Sequence, residues 1–154
     1  WRGVNLMKLS MKSRYGLRAL IDLAIHSRDE QVALGNVAER NGISPQYLEQ
    51  VFASLRKAGI VKSVKGPQGG YFLSRDPKEI SVADIVTVLE GSFCLENEEI
   101  PENCKSQGAP RAVQKLIVDQ VNQALNNILT QLTLADLVKE AEEYSAYGCD
   151  MYYI

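Results

Sequence analysis

The stretch that decides the fold runs from residue 59 to residue 73 and reads Gly-Ile-Val-Lys-Ser-Val-Lys-Gly-Pro-Gln-Gly-Gly-Tyr-Phe-Leu. Two short strand-like runs flank a Gly-Pro-Gln-Gly-Gly tip, and this pattern predicts a β-hairpin. The hairpin directly follows a helix-like segment, Ser44 to Ala58. A winged helix-turn-helix uses this combination to place one helix in a major groove and a hairpin beside it. Double-stranded DNA is therefore the leading partner.

Helical spacing of apolar residues predicts three helices before the hairpin. The first ends near His26, and the second spans about Leu34 to Arg40, where Asn41-Gly42 gives a left-handed stop signal. In the third, Ser44 is a candidate N-cap and Pro45 suits the first helical position. The buried stripe of this third helix is expected to consist of Leu48, Val51, Phe52 and Leu55.

The outward face of the third helix carries side chains suited to reading bases, namely Gln46, Tyr47, Glu49 and Gln50. Gln can pair with adenine through two hydrogen bonds, and Glu can accept one from cytosine N4. An ordinary solvated face would look the same, but the hairpin favours DNA. Its tip combines one cation with little side-chain bulk and could enter a minor groove. The tip residues are Lys65, Gly66, Pro67 and Gln68.

Charge is divided unevenly along the 154 residues, whose net charge is -2. Residues 7–75 contain 11 Lys or Arg against 5 Asp or Glu, whereas residues 76–154 contain 5 against 14. A basic half can neutralise phosphates while an acidic half stays away from them. This division argues against a dimer that binds only protein. No long apolar run or export signal is visible, so we expect a cytoplasmic chain without a membrane partner. Residues 1–6 are taken as an upstream remnant before Met7.

The second half of the sequence predicts helices separated by an acidic loop. A helix is expected from Val82 to Glu90, ended by Gly91, and a short final helix from Leu134 to about Glu143. Between them, residues 92–109 lack periodicity, and residues 111–131 form an amphipathic helix. That helix needs somewhere to bury its apolar stripe, and a second copy of the chain is the natural answer. The predicted dimerisation residues are Val113, Leu116, Ile117, Val121, Leu125 and Ile128.

Four motifs carry a family resemblance. They are Met-Lys-Leu-Ser-x-Lys-Ser-Arg-Tyr-Gly-Leu at 7–17, Ser-Pro-Gln-Tyr-Leu-Glu-Gln-Val-Phe-x-x-Leu-Arg-Lys-Ala-Gly at 44–59, Val-Lys-Gly-Pro-Gln-Gly-Gly-Tyr at 64–71 and Val-Leu-Glu-Gly at 88–91. With them, the chain resembles the Rrf2 family of bacterial transcription regulators from Met7 to Ile154. The closest branches are the iron–sulfur cluster regulators and the cysteine-metabolism repressors.

The resemblance implies a mostly α-helical fold with a small β-hairpin wing. It divides the chain into a winged helix-turn-helix domain at 7–91, a cysteine-containing effector loop at 92–109 and a dimerisation helix with the C-terminal region at 110–154. A homodimer would bind a partly palindromic operator as a repressor. By position, Gln46, Tyr47 and Glu49 would read bases, and Lys65 would occupy a wing position usually filled by Arg. Phosphate contacts would come from Ser10, Lys12 and Arg14.

The cysteines leave two signals open. Cys94 and Cys104 lie where the iron–sulfur branch keeps three cysteines, and the place of the third is taken by Gly108-Ala109-Pro110. In the first alternative they hold a labile 2Fe–2S cluster with ligands from elsewhere, and the protein regulates genes of iron–sulfur cluster biogenesis. His26 is a poor candidate ligand, and nothing places Cys149 nearby. In the second, the protein represses sulfur-metabolism genes without a cluster, through a regulatory protein partner or as a thiol redox sensor.

Other classes of protein fit the sequence less well. The chain has no His-containing catalytic triad, no His-Glu-x-x-His, no Cys-x-x-Cys and no phosphate-binding Gly-Lys-Ser/Thr loop, so it is not expected to be an enzyme. A zinc site at Cys94 and Cys104 would lack the close cysteine pairing that structural zinc sites use.

Overall fold

The computed structural model describes the backbone of residues 8–151 and the side chains of residues 8–147. The upstream remnant, the terminal residues 152–154 and the side chain of Cys149 lie outside these described residues. The elements are α1 (Met11–His26), α2 (Leu34–Asn41), α3 (Pro45–Lys57), β1 (Val61–Val64), β2 (Gly70–Leu73), a 3₁₀ helix (Pro77–Glu79), α4 (Val82–Glu90), α5 (Gly108–Val113), a π-helical segment (Gln114–Val118), α6 (Asp119–Gln131) and α7 (Leu134–Met151).

The predicted fold class is confirmed, because helices dominate and one antiparallel hairpin interrupts them. The first three helices pack through apolar stripes that are almost completely buried, with Leu20, Leu48 and Phe52 at 0% exposure. α2 ends at Gly42 in the left-handed conformation (φ 63°), as the Asn-Gly signal predicts. Ile85 and Leu89 of α4 pack into the same core. These contacts fix the axis of α3 relative to the rest of the domain.

A partly buried ion pair joins the first two helices. Arg40 donates from Nη2 to Asp22 Oδ1 at 2.6 Å and from Nε to Asp22 Oδ2 at 2.9 Å. This two-pronged geometry is the one that guanidinium and carboxylate groups favour. The hydrogen bond to Asp22 raises the pKa of Arg40 against the opposing effect of burial. The pair therefore holds α2, and with it the turn into α3, against α1.

The C-terminal region differs from the sequence prediction in two ways. α7 extends to Met151, well beyond the expected end near Glu143, because the helical spacing continues without a Gly or Pro stop until Gly148. The long helix starts at Gly108, ahead of the predicted Arg111, and contains the π-helical segment. α7 begins where Leu134 N–H donates to the carbonyl of Ile80 at 2.8 Å, which docks it against the winged-helix domain.

Candidate nucleic-acid interface and effector loop

The start of α3 is built to leave its polar side chains free. The hydroxyl of Ser44 accepts the amide of Tyr47 at 3.4 Å, and Pro45 occupies the first turn. Gln46, Glu49 and Gln50 are exposed, whereas the stripe predicted to be buried is buried. The predicted base-reading face is thus presented to solvent at the N-terminal end of the helix.

Tyr47 differs from its neighbours because it is half-buried. Its ring meets Tyr15 edge to face at 6.0 Å between centroids, and the Arg18 guanidinium lies 5.3 Å from the centre of the Tyr15 ring. Arg18 also donates to the carbonyl of Asn41 at 2.6 Å. Tyr47 is therefore part of the packing that orients α3, in addition to its predicted contact with DNA.

The hairpin pairs Val61 with Leu73 through to Val64 with Gly70. At its tip Gly66 takes a φ of 114°, and a Cβ on Gly69 would collide with the carbonyl oxygen of Val64, so both positions require glycine. The side chains of Lys65, Pro67 and Gln68 are exposed. The wing tip therefore has the predicted shape, a narrow turn that carries one cation.

Three contacts that the sequence did not suggest hold the wing against the domain. Val32 pairs with Tyr71 through two backbone hydrogen bonds of 2.9 and 2.8 Å, and Gln31 Nε2 donates to the carbonyl of Gln68 at 2.9 Å. The approach is so close that a side chain at Gly70 would collide with the carbonyl of Val32. On the other strand, Arg56 Nη1 donates to Ser63 Oγ at 3.3 Å. The wing is thus held at a fixed angle to α3.

The N-terminus of α1 carries the residues predicted to contact phosphate. It also contacts a carboxylate of α4 that the sequence did not predict. Ser10 caps the helix by accepting the Ser13 amide at 3.2 Å. Glu90, the last residue of α4, accepts hydrogen bonds from the Ser10 amide at 2.8 Å and the Ser13 hydroxyl at 2.6 Å. A clue existed, because an acidic residue at a helix C-terminus opposes the helix dipole and calls for a partner. Lys12 is half-buried and Arg14 exposed.

The effector loop lies along the long helix. Asn122 clamps it through a reciprocal pair, accepting from the Leu95 amide at 2.7 Å and donating to the Leu95 carbonyl at 3.0 Å. Gln114, the first residue of the π-helical segment, donates to Oδ1 of Asn97 in the loop at 2.8 Å. In the sequence, Asn122 is a polar residue on the same helical face as Val118, Leu125 and Leu129, which indicates that it has a polar partner there. The loop is therefore tied to the long helix at two points.

The two loop thiols do not assemble a metal site with other described residues. Cys94 is exposed, and Cys104 is half-buried with its Sγ 3.2 Å from the carbonyl of Ser106. Among the residues described, no three Cys, His, Asp or Glu side chains lie close enough to hold a metal ion. The Nδ1 atom of His26 lies 2.8 Å from the Asp22 carbonyl, at the end of α1. A 2Fe–2S cluster takes four ligands, so the described residues of one chain do not fit it.

The long helix has two faces. Its half-buried face, which includes Leu125 and Leu129, points into the chain, and the spacing of the exposed residues puts them on a different side. The predicted dimerisation residues other than Leu125 are among the most exposed apolar side chains in the described part of the protein: Val113 47%, Leu116 67%, Ile117 54%, Val121 38% and Ile128 62%.

Comparison with known proteins decides the family. The sequence pattern of Rrf2, described as an iron-dependent transcriptional regulator, matches residues 9–140. The chain belongs to the Rrf2 family. This confirms the sequence-based resemblance and makes the protein a winged-helix transcription regulator, with DNA as its partner, rather than an enzyme. None of the described helices has the length and apolar character needed to cross a membrane.

Similar Rrf2 proteins come from both expected branches. The HTH-type transcriptional regulator IscR of Serratia proteamaculans is 38% identical over 136 residues, covering 88% of this chain and 82% of the relative. The structure of T. potens IscR is 44% identical with a TM-score of 0.70, covering 92% of this chain and 93% of that chain. CymR of B. subtilis, described as the global cysteine regulator, is 36% identical with a TM-score of 0.74, covering 88% and 98%.

The Glu90 contacts predict a pH-dependent contribution to stability. Burial alone would raise the pKa of Glu90, but the hydrogen bonds from Ser10 and Ser13, with nearby Lys12, lower it below its usual value of 4.5. Because the pKa of Glu90 is lower in the folded protein, its ionised carboxylate stabilises the fold above pH 4.5. This contribution is lost as the pH falls through the lowered pKa. We expect Glu90→Gln to unfold at lower urea than the wild type at pH 6, and the gap between the two proteins to narrow as the pH falls below 4.5.

The matched control is Glu102→Gln, which changes an exposed carboxylate of the effector loop. Urea unfolding of all three proteins at one protein concentration provides the measurement. Equal destabilisation of both variants at pH 6, or a Glu90→Gln gap that does not change with pH, would contradict the role assigned to this carboxylate.

Proposed function

We propose that this Rrf2 regulator acts as a cytoplasmic homodimer and represses transcription by binding a two-fold operator. The observation that carries the proposal is the exposed N-terminus of α3 standing beside a wing fixed to the same domain by Val32, Gln31 and Arg56. A recognition helix and a wing read adjacent grooves, and contacts that already fix the angle between them prepare the protein for this geometry.

Within each half-site, the roles follow from exposure and chemistry. Gln46, Glu49 and Gln50 have the reach and hydrogen-bonding groups to contact base edges in the major groove. Tyr47, held against Tyr15, offers its hydroxyl to the adjacent backbone. Lys65 reaches the minor groove with Gly66, Pro67 and Gln68 beside it. As a point charge without a planar fork, Lys65 discriminates groove width less sharply than Arg would.

The N-terminus of α1 supplies sequence-independent contacts. Lys12 and Arg14 present positive charge beside the backbone amides of a helix start, a combination that suits phosphate. The Ser10 amide and the Ser13 hydroxyl are taken up by Glu90, so Ser10 contributes to DNA binding mainly by shaping this helix end.

Binding to selected and random duplexes separates these roles. After selection of preferred sequences from a random pool, Glu49→Ala should weaken binding to the selected duplex by about 1–3 kcal/mol and leave binding to random duplex nearly unchanged. Lys12→Ala should weaken both and reduce the salt slope by about 1. Lys105→Ala, in the acidic half, is the control for charge loss. If log affinity does not depend on log salt, binding through phosphates is refuted.

The exposed face of the long helix supports the proposal of a dimer. Five large apolar residues on one side of a helix form a patch that a lone protein in water would not normally expose. A second copy can cover it through the same residues about a two-fold axis, which matches the symmetry of an operator. Leu125, already half-buried within the chain, would lie at the edge of this interface.

A charge placed in this face tests the dimer. Ile117→Glu would bury an unpaired carboxylate, so we expect the dimer dissociation constant to rise on the order of a hundredfold. Binding to the selected duplex should weaken with it. Lys115→Glu introduces the same side chain on the opposite side of the helix and should leave the dimer intact. Sedimentation velocity measures both variants; an Ile117→Glu protein that stays dimeric at the wild-type concentration would refute this interface.

For the effector loop, the geometry supports sensing by the thiols of Cys94 and Cys104 themselves. Two thiols are present, the first exposed, and no third donor joins them among the described residues. One CymR relative, from Staphylococcus aureus, has a solved structure described as an oxidised form. A 2Fe–2S cluster is the second candidate, favoured by the family description and by the IscR relatives. It would need ligands from a partner chain or from residues outside those described.

Anaerobic purification followed by visible absorbance and by iron and sulfide assays separates the two candidates. We expect protein without stoichiometric iron or sulfide, whose affinity for the selected duplex changes on peroxide treatment and recovers with dithiothreitol. Cys94→Ser and Cys104→Ser together should abolish that response, whereas Cys149→Ser should retain it. Stoichiometric iron and sulfide that both loop substitutions remove would instead establish the cluster.

A further inference from the structure

We propose that the cleft between β2 and α7 is a binding site for a small organic anion with an apolar body. The cleft has a volume of about 560 Å³ and lies among the end of α1, the return strand of the wing, the 3₁₀ helix and α7. Ligand-binding clefts typically enclose roughly 300–1,000 Å³. Its size and its position between four elements distinguish it from a surface groove on one helix.

The floor of the cleft is apolar. Ala24 of α1, Leu73 of β2 and Val138 of α7 line it, and Val138 is only 8% exposed. These side chains come from three elements that pack together in the core, so the floor is fixed by the fold. An aromatic or aliphatic ligand body would remove apolar surface from water here, which is the usual source of affinity in such clefts.

The rim of the cleft carries more positive than negative charge, with Arg28, Arg75, Lys78 and Lys139 against Asp76 and Glu142. Glu142 pairs with Arg28 at 2.8 Å and Arg75 pairs with Asp84 at 3.5 Å, whereas Asp76 accepts the Lys78 amide at 2.8 Å and keeps its negative charge. In contrast, the ammonium groups of Lys78 and Lys139 form no ion pair with any residue in the described part of the chain. Two exposed, unpaired cations above an apolar floor select an anionic head group joined to an apolar body.

The cleft is separate from the surfaces proposed for the dimer and for base reading. Ala135, Val138, Lys139 and Glu142 share one face of α7, whereas the proposed dimer residues lie on the long helix that ends at Gln131. None of the residues proposed for the dimer interface or for base reading lines the cleft. A ligand here would contact the wing and the C-terminal helix together, at a site separate from the cysteine loop.

Three probes of one shape and different charge test the proposal on the full-length protein: 2-naphthoate, 2-naphthylmethanol and 2-naphthylmethylammonium. Amide chemical shifts of isotope-labelled protein report the location and affinity. We expect 2-naphthoate to give saturable shifts at residues 24–28, 72–78 and 135–142, with the alcohol about tenfold weaker and the ammonium weaker still. Shifts scattered over the surface, no saturation up to the solubility limit, or equal affinities for the three probes would overturn the proposal.

Charge reversal supplies the matched variants. Lys78→Glu with Lys139→Glu should weaken 2-naphthoate binding by at least about tenfold and should raise the affinity for the ammonium probe. Both substitutions are on exposed side chains, and the amide spectrum checks that the fold is retained. Lys115→Glu, the same change on the long helix, should leave both affinities as they are. A doubly reversed protein that binds 2-naphthoate as tightly as the wild type would refute the site.

Discussion

The domain depends on one close approach, at Gly16 in the middle of α1. A Cβ at this position would lie 2.5 Å from Leu89 Cδ1 and 3.2 Å from Val51 Cγ1, so α1, α3 and α4 meet where one side chain is missing. Glycine inside a helix costs about 0.5–1 kcal/mol. The close packing offsets this cost and fixes three parts of the chain together: α3, α1 and the end of α4, from which the cysteine-containing loop leaves.

From that meeting point, polar contacts extend in two directions. Toward DNA, Glu90 holds the start of α1 through Ser10 and Ser13. Toward the long helix, the chain leaves α4 at Gly91, whose φ of 82° suits glycine, and Asn122 holds the loop four residues later at Leu95. Cys94 lies between these two anchors. A chemical change at its thiol is thus placed to disturb both the end of α4 and the packing of the long helix.

Local signals predicted the DNA-reading half well because its structure is locally determined. Ser44-Pro45 starts a helix, Gly42 ends one, and the glycines of the tip require a tight turn whatever surrounds them. Contacts between distant residues were not predictable in this way: Gln31 to the wing, Glu90 to Ser10 and Asn122 to Leu95 connect residues 37, 80 and 27 positions apart. The end of α7 was missed because capping signals mark where a helix begins more clearly than where a uniform sequence stops.

Two routes could transmit a signal from the loop to DNA, and they act on different contacts. Loss of the Glu90 contacts would remove two hydrogen bonds to a charged group, each worth about 1.5–3 kcal/mol, and would loosen phosphate contacts on each half-site separately. A shift of the long helix would instead change the spacing of both recognition helices at once, and a bound operator tolerates little change in that spacing because half-sites repeat with the DNA helix. The second route acts on all contacts of one half-site together. The clamp of Asn122, which ties the cysteine loop to the long helix, is therefore the contact through which a small chemical change can have the larger effect on DNA affinity.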